Sequence, residues 1–226
     1  MLFAIWFSSG PARSSRCTST TAPALVIGRT ARRVAPEEGW SYVGGVTAAN
    51  DFGVYDLRYA DRGSNLRAKG GDGFTPLGPV VLPAAGLDPA ALRLRTWVNG
   101  ELVQEDSSGE LLFGFGRLVA DLSQLITLEP GDVVLTGTPA GASVVVPGYV
   151  VEVEVDAGGQ TTGRLVTTIA GGTVPLGPYG ALPRVDENWT RPAATARGCT
   201  TSRSPRTSGT RSCTSATTSA RCGSPG

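Results

Sequence analysis

The sequence predicts a β-rich α+β domain, because short strand patterns bounded by turn residues outnumber helical ones. Leu92–Val98 and Tyr149–Val155 show the period of two that is typical of half-buried strands. Phe115–Leu125 has the spacing of a helix with one apolar face. A chain of 226 residues is long enough for one domain with a hydrophobic core, or for two small ones.

The predicted elements begin with a strand that ends at Leu25–Gly28. Pro36 and the two glutamates after it predict the start of a short helix, because proline is tolerated in the first turn and acidic side chains favour the positive end of the helix dipole. Val43–Ala49 is predicted to be a strand or extended segment that leads to Asp51.

The middle of the chain predicts a hairpin followed by the helix. Asn99-Gly100 favours a tight turn between Leu92–Val98 and a returning strand at Glu101–Gln104. Trp97 is expected in the core. The buried face of the helix is predicted to carry Leu118, Val119, Leu122 and Leu125.

The last elements are predicted to be a loop and three strands. The loop is Leu128–Asp132, and a buried strand follows at Val133–Thr136. The strand pattern of Tyr149–Val155 comes next, and Arg164–Ile169 is the final strand.

The composition argues against several classes of protein. The net charge is +1, from 20 basic and 19 acidic residues, so no charged stripe for a polyanion is predicted. The apolar run Met1–Phe7 is too short to span a bilayer and lacks the basic start of a signal peptide. We therefore expect a cytoplasmic protein that binds neither nucleic acid nor membranes.

The cysteines predict neither a disulfide framework nor a zinc centre. A secreted framework would spread them through the fold, but none lies between Leu25 and Trp189. Their spacing matches no zinc site, and the chain has no histidine to complete one. The four are Cys17, Cys199, Cys213 and Cys222.

Two segments have a composition unlike that of the rest of the chain. Ser8–Ala24 and Thr190–Gly226 use only Thr, Arg, Pro, Ala, Gly, Cys and Ser. The codons of these residues have G or C in the middle position, as expected when a GC-rich gene is translated out of frame, and we interpret both segments as frameshifted. An ordinary disordered tail is the alternative for the second, which has no large apolar side chain to bury. The predicted organisation is an abnormal segment at 1–24, a folded domain at 25–188 and a disordered tail at 189–226.

Two motif-rich segments of the predicted domain carry the candidate chemistry. Carboxylate oxygens suit a hard cation such as Mg²⁺, and a lysine can balance the charge of an anionic substrate. Acidic residues beside glycines also occur in ordinary turns, so these residues alone leave both interpretations open. The first segment, Ala49–Pro79, contains Asn50-Asp51, Asp56, Lys69, Asp72 and Pro76-Leu-Gly-Pro79. The second, Leu128–Gly141, contains Leu-Thr-Gly-Thr-Pro at Leu135–Pro139.

Together with Val-Asn-Gly-Glu at Val98–Glu101, these motifs resemble the fumarylacetoacetate hydrolase family over about Leu25 to Ile169. Within it, Asn65-Leu-Arg-Ala-Lys69-Gly-Gly-Asp72-Gly is most similar to a branch that acts in homoprotocatechuate breakdown. That branch decarboxylates 5-oxopent-3-ene-1,2,5-tricarboxylate and isomerises 2-hydroxyhepta-2,4-diene-1,7-dioate. The resemblance implies the family's mixed β-sheet roll, a homodimer and a small 2-oxo acid substrate.

The resemblance also implies roles for individual residues. Asp51 would be a ligand of Mg²⁺ or Mn²⁺, and Asp56 would orient the cluster or hold a metal-bound water. Lys69 would be catalytic, lying against the negative charge of the substrate, and Asp72 would pair with Lys69 or close its loop. Three residues would bind the substrate, namely Thr138, Gly137 and Gln104.

This sequence departs from the family pattern around the metal. The family carries a Glu-x-Glu pair of metal ligands shortly before Val-Ile-Gly, and the corresponding positions fall near Thr20 and Ala22, which are not comparable ligands. Tyr55 stands where the family has an arginine, so a salt bridge to Asp56 would be lost. The family's histidine–glutamate dyad has no counterpart, because histidine is absent. The metal site is therefore predicted to be incomplete.

The chemistry that the resemblance implies proceeds through an enolate. A 2-oxo acid chelates Mg²⁺, which stabilises the enolate formed when CO₂ leaves or a proton is removed. Lys69 would add electrostatic stabilisation. Hydrolytic carbon–carbon cleavage of an acylpyruvate is the alternative; it needs a base to activate water, and the absence of histidine favours decarboxylation or isomerisation. A catalytically inactive product or a binding scaffold is a further alternative.

The predicted domain should resist limited proteolysis as one unit, because its strand and turn patterns are mutually consistent. A stable fragment with limits near Leu25 and Ile169 is expected by mass spectrometry. Early cleavage at sites scattered through Leu92–Val155 would contradict a single folded unit.

Overall fold

The computed structural model describes residues 17–172 and 179–184, together with the backbone of strand β1. The strands are β1 (Phe3–Ser8), β2 (Cys17–Ser19), β3 (Thr21–Ile27), β4 (Val43–Asn50), β5 (Gly53–Val54), β6 (Leu77–Pro83), β7 (Leu92–Val98), β8 (Glu101–Ser107), β9 (Val133–Leu135), β10 (Ser143–Val145), β11 (Val150–Ala157), β12 (Gln160–Thr161) and β13 (Leu165–Gly172). The α-helices are α1 (Arg58–Asp61), α2 (Leu66–Lys69) and α3 (Phe115–Leu125), and short 3-10 helices cover Gly39–Tyr42, Tyr55–Leu57 and Ser108–Glu110. The β-rich α+β prediction is confirmed.

The strands of the described residues form three sheets. The largest has the order β1-β13-β11-β7-β8, with β12 beside β11; it is antiparallel except for the parallel pair of β1 and β13. A second sheet is antiparallel with the order β6-β4-β3-β9. A small third sheet has the order β10-β2-β5. Strand β3 therefore lies inside its sheet, between β4 and β9.

One apolar core joins the two larger sheets. Alternate residues of β11 are buried, as the period of two predicts. The cluster combines these residues with buried side chains of β7 and with residues of β3 and β4. Among its members are Val151, Val153, Val155, Leu92, Leu94, Leu25 and Val46.

The predicted hairpin is confirmed. Asn99 and Gly100 have φ angles of 51° and 82°, which is the left-handed backbone that a tight hairpin turn requires. Strand β8 continues beyond the predicted end at Gln104 to Ser107, and a register shift follows Thr96. The prediction for Trp97 is wrong, because this residue is only half-buried and the Arg164 guanidinium lies 4.0 Å from its ring centroid.

The predicted bounds of α3 and the burial of Val119 are confirmed, but the buried face is shifted away from Leu122 and Leu125. Phe115, Val119, Ala120 and Ser123 are buried, whereas Leu122 and Leu125 are 37% and 79% exposed. The reason lies in the backbone contact with the segment before β4. A Cβ on Gly116 would lie 2.6 Å from the Pro36 carbonyl oxygen, and this close approach orients the helix.

The segment before β4 is also less helical than predicted. Pro36–Glu38 form a turn, and the helix after them is a single 3-10 turn at Gly39–Tyr42. Trp40 of this turn stacks on Phe115, with ring centroids 6.0 Å apart. The apolar anchor of α3 is therefore an aromatic pair.

The described part of the unusual N-terminal segment lies in the core. Strand β2 and the start of β3 are buried, although they contain only small residues and no large apolar side chain before Leu25. The predicted tail at 189–226 falls outside the described residues, and the frameshift interpretation stays a prediction. Within the described part of the chain, no helix is long and apolar enough to cross a membrane.

Replacing Phe115 with alanine should destabilise the domain by about 3–5 kcal/mol, because it empties a buried aromatic site. Urea unfolding followed by fluorescence measures the change. Leu125→Ala on the same helix is the matched control, and its exposed side chain predicts a change below about 0.5 kcal/mol. Equal losses in the two variants would contradict the observed helix face.

Candidate functional site

The pairing of β3 with β4 brings positions 20 and 22 next to Asp51. Ala22 lies opposite Ala49 in the antiparallel ladder. One step further, the Asp51 amide donates to the Thr20 carbonyl oxygen at 2.8 Å, and the Thr20 hydroxyl donates to the Asp51 carbonyl oxygen. The positions at which the sequence predicted the missing glutamates therefore face the same space as Asp51.

Helix α2 places Lys69 beside this space. The buried Asp61 carboxylate accepts the N–H groups of Arg67 and Ala68 at 2.8 and 2.7 Å, which fixes the first turn of the helix. Lys69 is its last residue, and its ammonium group forms an ion pair with the Asp51 carboxylate. The same nitrogen lies 3.3 Å from the Thr20 Oγ1. Lys69 and Asp51 are therefore paired with each other beside this space.

A cavity of about 160 Å³ is the candidate site. A second cavity of about 190 Å³ shares Gly137 and Thr138 with it, so the two adjoin at this loop. The second is lined by apolar residues such as Leu111 and Leu112, by serines, and by the acidic residues Asp106 and Glu110. The first is lined by Thr20, Ala22, Asp51, Tyr55, Lys69, Leu135, Gly137 and Thr138.

The loop after β9 is held against strand β3 and against the hairpin strand β8. The Thr136 hydroxyl donates to the Pro23 carbonyl oxygen at 2.8 Å. Gly141 has a φ of 98°, and a Cβ there would lie 2.4 Å from the Val103 carbonyl oxygen, so only glycine permits this contact. The Gln104 amide nitrogen lies 3.1 Å from the Thr138 Oγ1. These contacts place Thr138 at the junction of the two cavities.

Three predicted residues do not line either cavity: Gln104, which is buried behind Thr138, and the two acids Asp56 and Asp72. Asp56 is 4% exposed and lies in the 3-10 helix Tyr55–Leu57, where its carbonyl oxygen accepts the Arg184 amide at 2.8 Å. Asp72 is exposed, and the predicted pairing with Lys69 is corrected by the structure, in which Lys69 pairs with Asp51. The difference arises because α2 ends at Lys69 and the chain turns away before Asp72. Catalytic and metal-supporting roles for the two acids stay predictions.

The residues of the cavity do not fit a divalent cation. Within residues 17–172 and 179–184, no group of three or more His, Cys, Asp or Glu side chains is arranged to hold a metal. The single carboxylate of the cavity belongs to Asp51, and it is engaged by Lys69. Burial raises the pKa of the nearby Cys17 thiol well above its usual range, so this group supplies no thiolate. Mg²⁺ and Mn²⁺ need more charged or carbonyl oxygens than this arrangement offers.

Sequence reasoning did not assign two cavity residues, Tyr55 and Leu135. Tyr55 was noted only as a departure from the family pattern, and nothing in the sequence indicates that its side chain reaches the cavity. Leu135 belongs to a recognised motif, but its apolar side chain suggests core rather than lining. Residues such as Tyr55 and Leu135 are identified as cavity lining only when the contacts between distant parts of the chain are known.

Comparison with known proteins relates the chain to one family. The model of the fumarylacetoacetate (FAA) hydrolase C-terminal domain matches residues 23–170. The 4-hydroxyphenylacetate degradation bifunctional isomerase/decarboxylase of Salmonella dublin is 45% identical over 143 residues, which are 63% of this chain and 33% of that protein. The chain therefore spans about a third of the length of this relative.

Solved structures share the fold. The 5-carboxymethyl-2-hydroxymuconate delta-isomerase of Mycobacterium smegmatis is 34% identical with a TM-score of 0.66, covering 77% of this chain and 64% of that one. The maleylpyruvate hydrolase of Sphingobium sp. SYK-6 is 30% identical with a TM-score of 0.64, covering 76% and 60%. The fumarylpyruvate hydrolase of Pseudomonas aeruginosa, solved with Mn²⁺ and pyruvate, has a TM-score of 0.62 over 75% and 74% of the chains; at 23% identity it supports the fold alone.

The fold and the sequence lead to the same assignment. The predicted mixed β-sheet roll is confirmed by the structural neighbours, and the matched span of 23–170 contains the Asn50-Asp51, Lys69 and Thr138 motifs. That span is more than half of the 226 residues. This chain belongs to the fumarylacetoacetate hydrolase family.

Proposed function

We propose that this domain derives from an isomerase or decarboxylase of 2-oxo (enol) di- or tricarboxylic acids in aromatic-compound breakdown, and that the chain as written lacks two ligands of its metal. One observation carries the proposal. Thr20 and Ala22, neither of which can supply a carboxylate, line the same cavity as Asp51, Lys69 and Thr138. This arrangement supports a site whose scaffold is retained and whose strongest metal ligands would be missing.

The remaining polar groups suit an anionic substrate. Lys69 carries a positive charge next to the cavity, where it would stabilise negative charge that develops on a substrate oxygen. Thr138 offers a hydroxyl at the junction of the two cavities. The names of the related isomerase/decarboxylases support the reaction type and a role in aromatic-compound breakdown.

Hydrolysis of an acylpyruvate is the second candidate, and the similarity to a maleylpyruvate hydrolase favours it. This reaction needs a base that activates water. The chain has no histidine, and the Asp51 carboxylate of the cavity is paired with Lys69. The absence of a free base therefore disfavours hydrolysis, and decarboxylation, which removes no proton before CO₂ leaves, is the reaction least affected. Assays of one repaired protein with both substrate types separate the two candidates.

The chain as written should bind Mg²⁺ no more tightly than about millimolar, because one paired carboxylate leaves the ion with mostly water ligands. The double variant Thr20→Glu, Ala22→Glu should bind Mg²⁺ or Mn²⁺ at least about tenfold more tightly by calorimetry, since it supplies two more carboxylates. Its melting temperature should rise when metal is added, because the cation relieves the repulsion among three acids.

The control for this experiment is Thr20→Gln, Ala22→Gln, which has the same side-chain size without the charge. It should show neither the tighter binding nor the metal-dependent rise in melting temperature. Micromolar Mg²⁺ binding by the unaltered chain would refute the incomplete-site interpretation.

In the Thr20→Glu, Ala22→Glu protein, Asp51→Asn and Lys69→Met should lower activity in different ways. Loss of Asp51 weakens metal binding, so higher Mg²⁺ should partly restore the rate. Loss of Lys69 removes charge stabilisation in the transition state, at a cost of about 2.7–4 kcal/mol by analogy with an oxyanion-hole donor, and added metal should not restore it.

Steady-state rates across a Mg²⁺ titration distinguish these two behaviours. The expected substrate is 5-oxopent-3-ene-1,2,5-tricarboxylate or 2-hydroxyhepta-2,4-diene-1,7-dioate, with an acylpyruvate assayed in parallel. Equal rescue of both variants by metal would remove Lys69 from its proposed role.

A further inference from the structure

Gln104 is 3% exposed, although the sequence predicted it to bind substrate. Its Nε2 lies 2.9 Å from the Pro139 carbonyl oxygen and 3.3 Å from that of Ala140. Carbonyl oxygens only accept hydrogen bonds, so the NH₂ end of the amide must face them. The two neighbours therefore fix which end of the Gln104 amide is nitrogen and which is oxygen.

The amide oxygen of Gln104 faces a pair of buried threonines. The Thr21 Oγ1 lies 3.0 Å from the Gln104 Oε1. Because an amide oxygen only accepts, Thr21 donates its single hydroxyl proton there. The Thr96 Oγ1 lies 2.6 Å from the Thr21 Oγ1, and Thr96 must then be the donor of that bond. Both threonines are fully buried, so water does not compete for these groups.

The amide nitrogen of Gln104 sets the hydrogen bonding of Thr138. The Thr138 Oγ1 lies 3.1 Å from the Gln104 Nε2 and accepts one of its protons. No acceptor for the Thr138 hydroxyl proton is found among residues 17–172 and 179–184. Thr138 is exposed and lines both cavities, so this proton is available to an atom inside them.

We propose that Thr96, Thr21, Gln104 and Thr138 form a hydrogen-bond chain of fixed direction that ends in a donor at the cavities. Within the hydrogen-bond chain, Gln104 is a positioning residue, and Thr138 is the residue that contacts the ligand. The Thr138 hydroxyl proton is therefore offered to an acceptor of the ligand, such as a carboxylate or enolate oxygen. Bonds that point the same way along a chain polarise and strengthen one another.

NMR on the unaltered protein can test the direction of the hydrogen-bond chain. The Gln104 side-chain NH₂ protons should exchange slowly with solvent, and a scalar coupling should join the Gln104 Nε2 to the Pro139 carbonyl carbon. Thr21→Val should speed this exchange, because it removes the donor to the amide oxygen. Thr168→Val, a similar change on β13, is the control and should leave the exchange unchanged. Exchange at the rate of a free amide, or no response to Thr21→Val, would overturn the proposal.

The polarity at the ligand rests on the proposed function and is tested in the Thr20→Glu, Ala22→Glu protein with Mg²⁺. Oxalate is the probe, because it offers only acceptor oxygens. By calorimetry, Thr138→Val should weaken oxalate binding by about tenfold or more, and Thr138→Ser should retain it. Gln104→Glu should also weaken binding, because its carboxylate would take the Thr138 proton.

The outcomes of the two experiments are separable. Unchanged oxalate affinity in Thr138→Val would overturn the donor role of Thr138. If Gln104→Glu fails to fold, the comparison of Thr138→Val with Thr138→Ser decides alone. Failure of the double variant to bind oxalate at all would overturn the proposed function. The exchange measurement on the unaltered chain would still decide the direction of the hydrogen-bond chain.

Discussion

The position of β3 between β4 and β9 is the constraint on which the candidate site depends. Pairing with β4 places Thr20 and Ala22 beside Asp51, and pairing with β9 brings the loop that carries Thr138 to the same place. A slip of one residue in this register would turn every side chain of β3 to the opposite face of the sheet. One central strand thus sets the relative positions of groups that are far apart in the sequence.

Strands β2 and β3 lie in the core although the first residues of β3 and all of β2 are small, and side-chain hydrogen bonds explain how. Most of their polar groups have partners: Ser19 bonds to Asn50, and Thr21 bonds to Thr96 and Gln104. The Thr18 hydroxyl is an exception, since it is buried without a partner in the described residues. A buried polar group without a partner typically costs about 1–3 kcal/mol, so the Thr18 hydroxyl lowers the free energy of unfolding.

The features that the sequence could predict are those recorded in local patterns. The bounds of β7 and α3, the Asn99-Gly100 turn and the family motifs all follow from neighbouring residues. The buried face of α3 could not be predicted, because it depends on a glycine contact and an aromatic pair across the chain. The partner of Lys69 was missed for the same reason, since sequence distance does not show that α2 points its last side chain at Asp51.

The ladder of β3 with β4 and β9 is made by backbone amides and carbonyls, which every residue except proline supplies in full. The ladder itself is therefore independent of the side chains at positions 20 and 22, although two glutamates buried there beside Asp51 would repel one another. Cellular quality control acts on unfolded chain and exposed apolar surface, neither of which reports an absent ligand. On the proposed function, this fold would persist in a chain that has lost its activity.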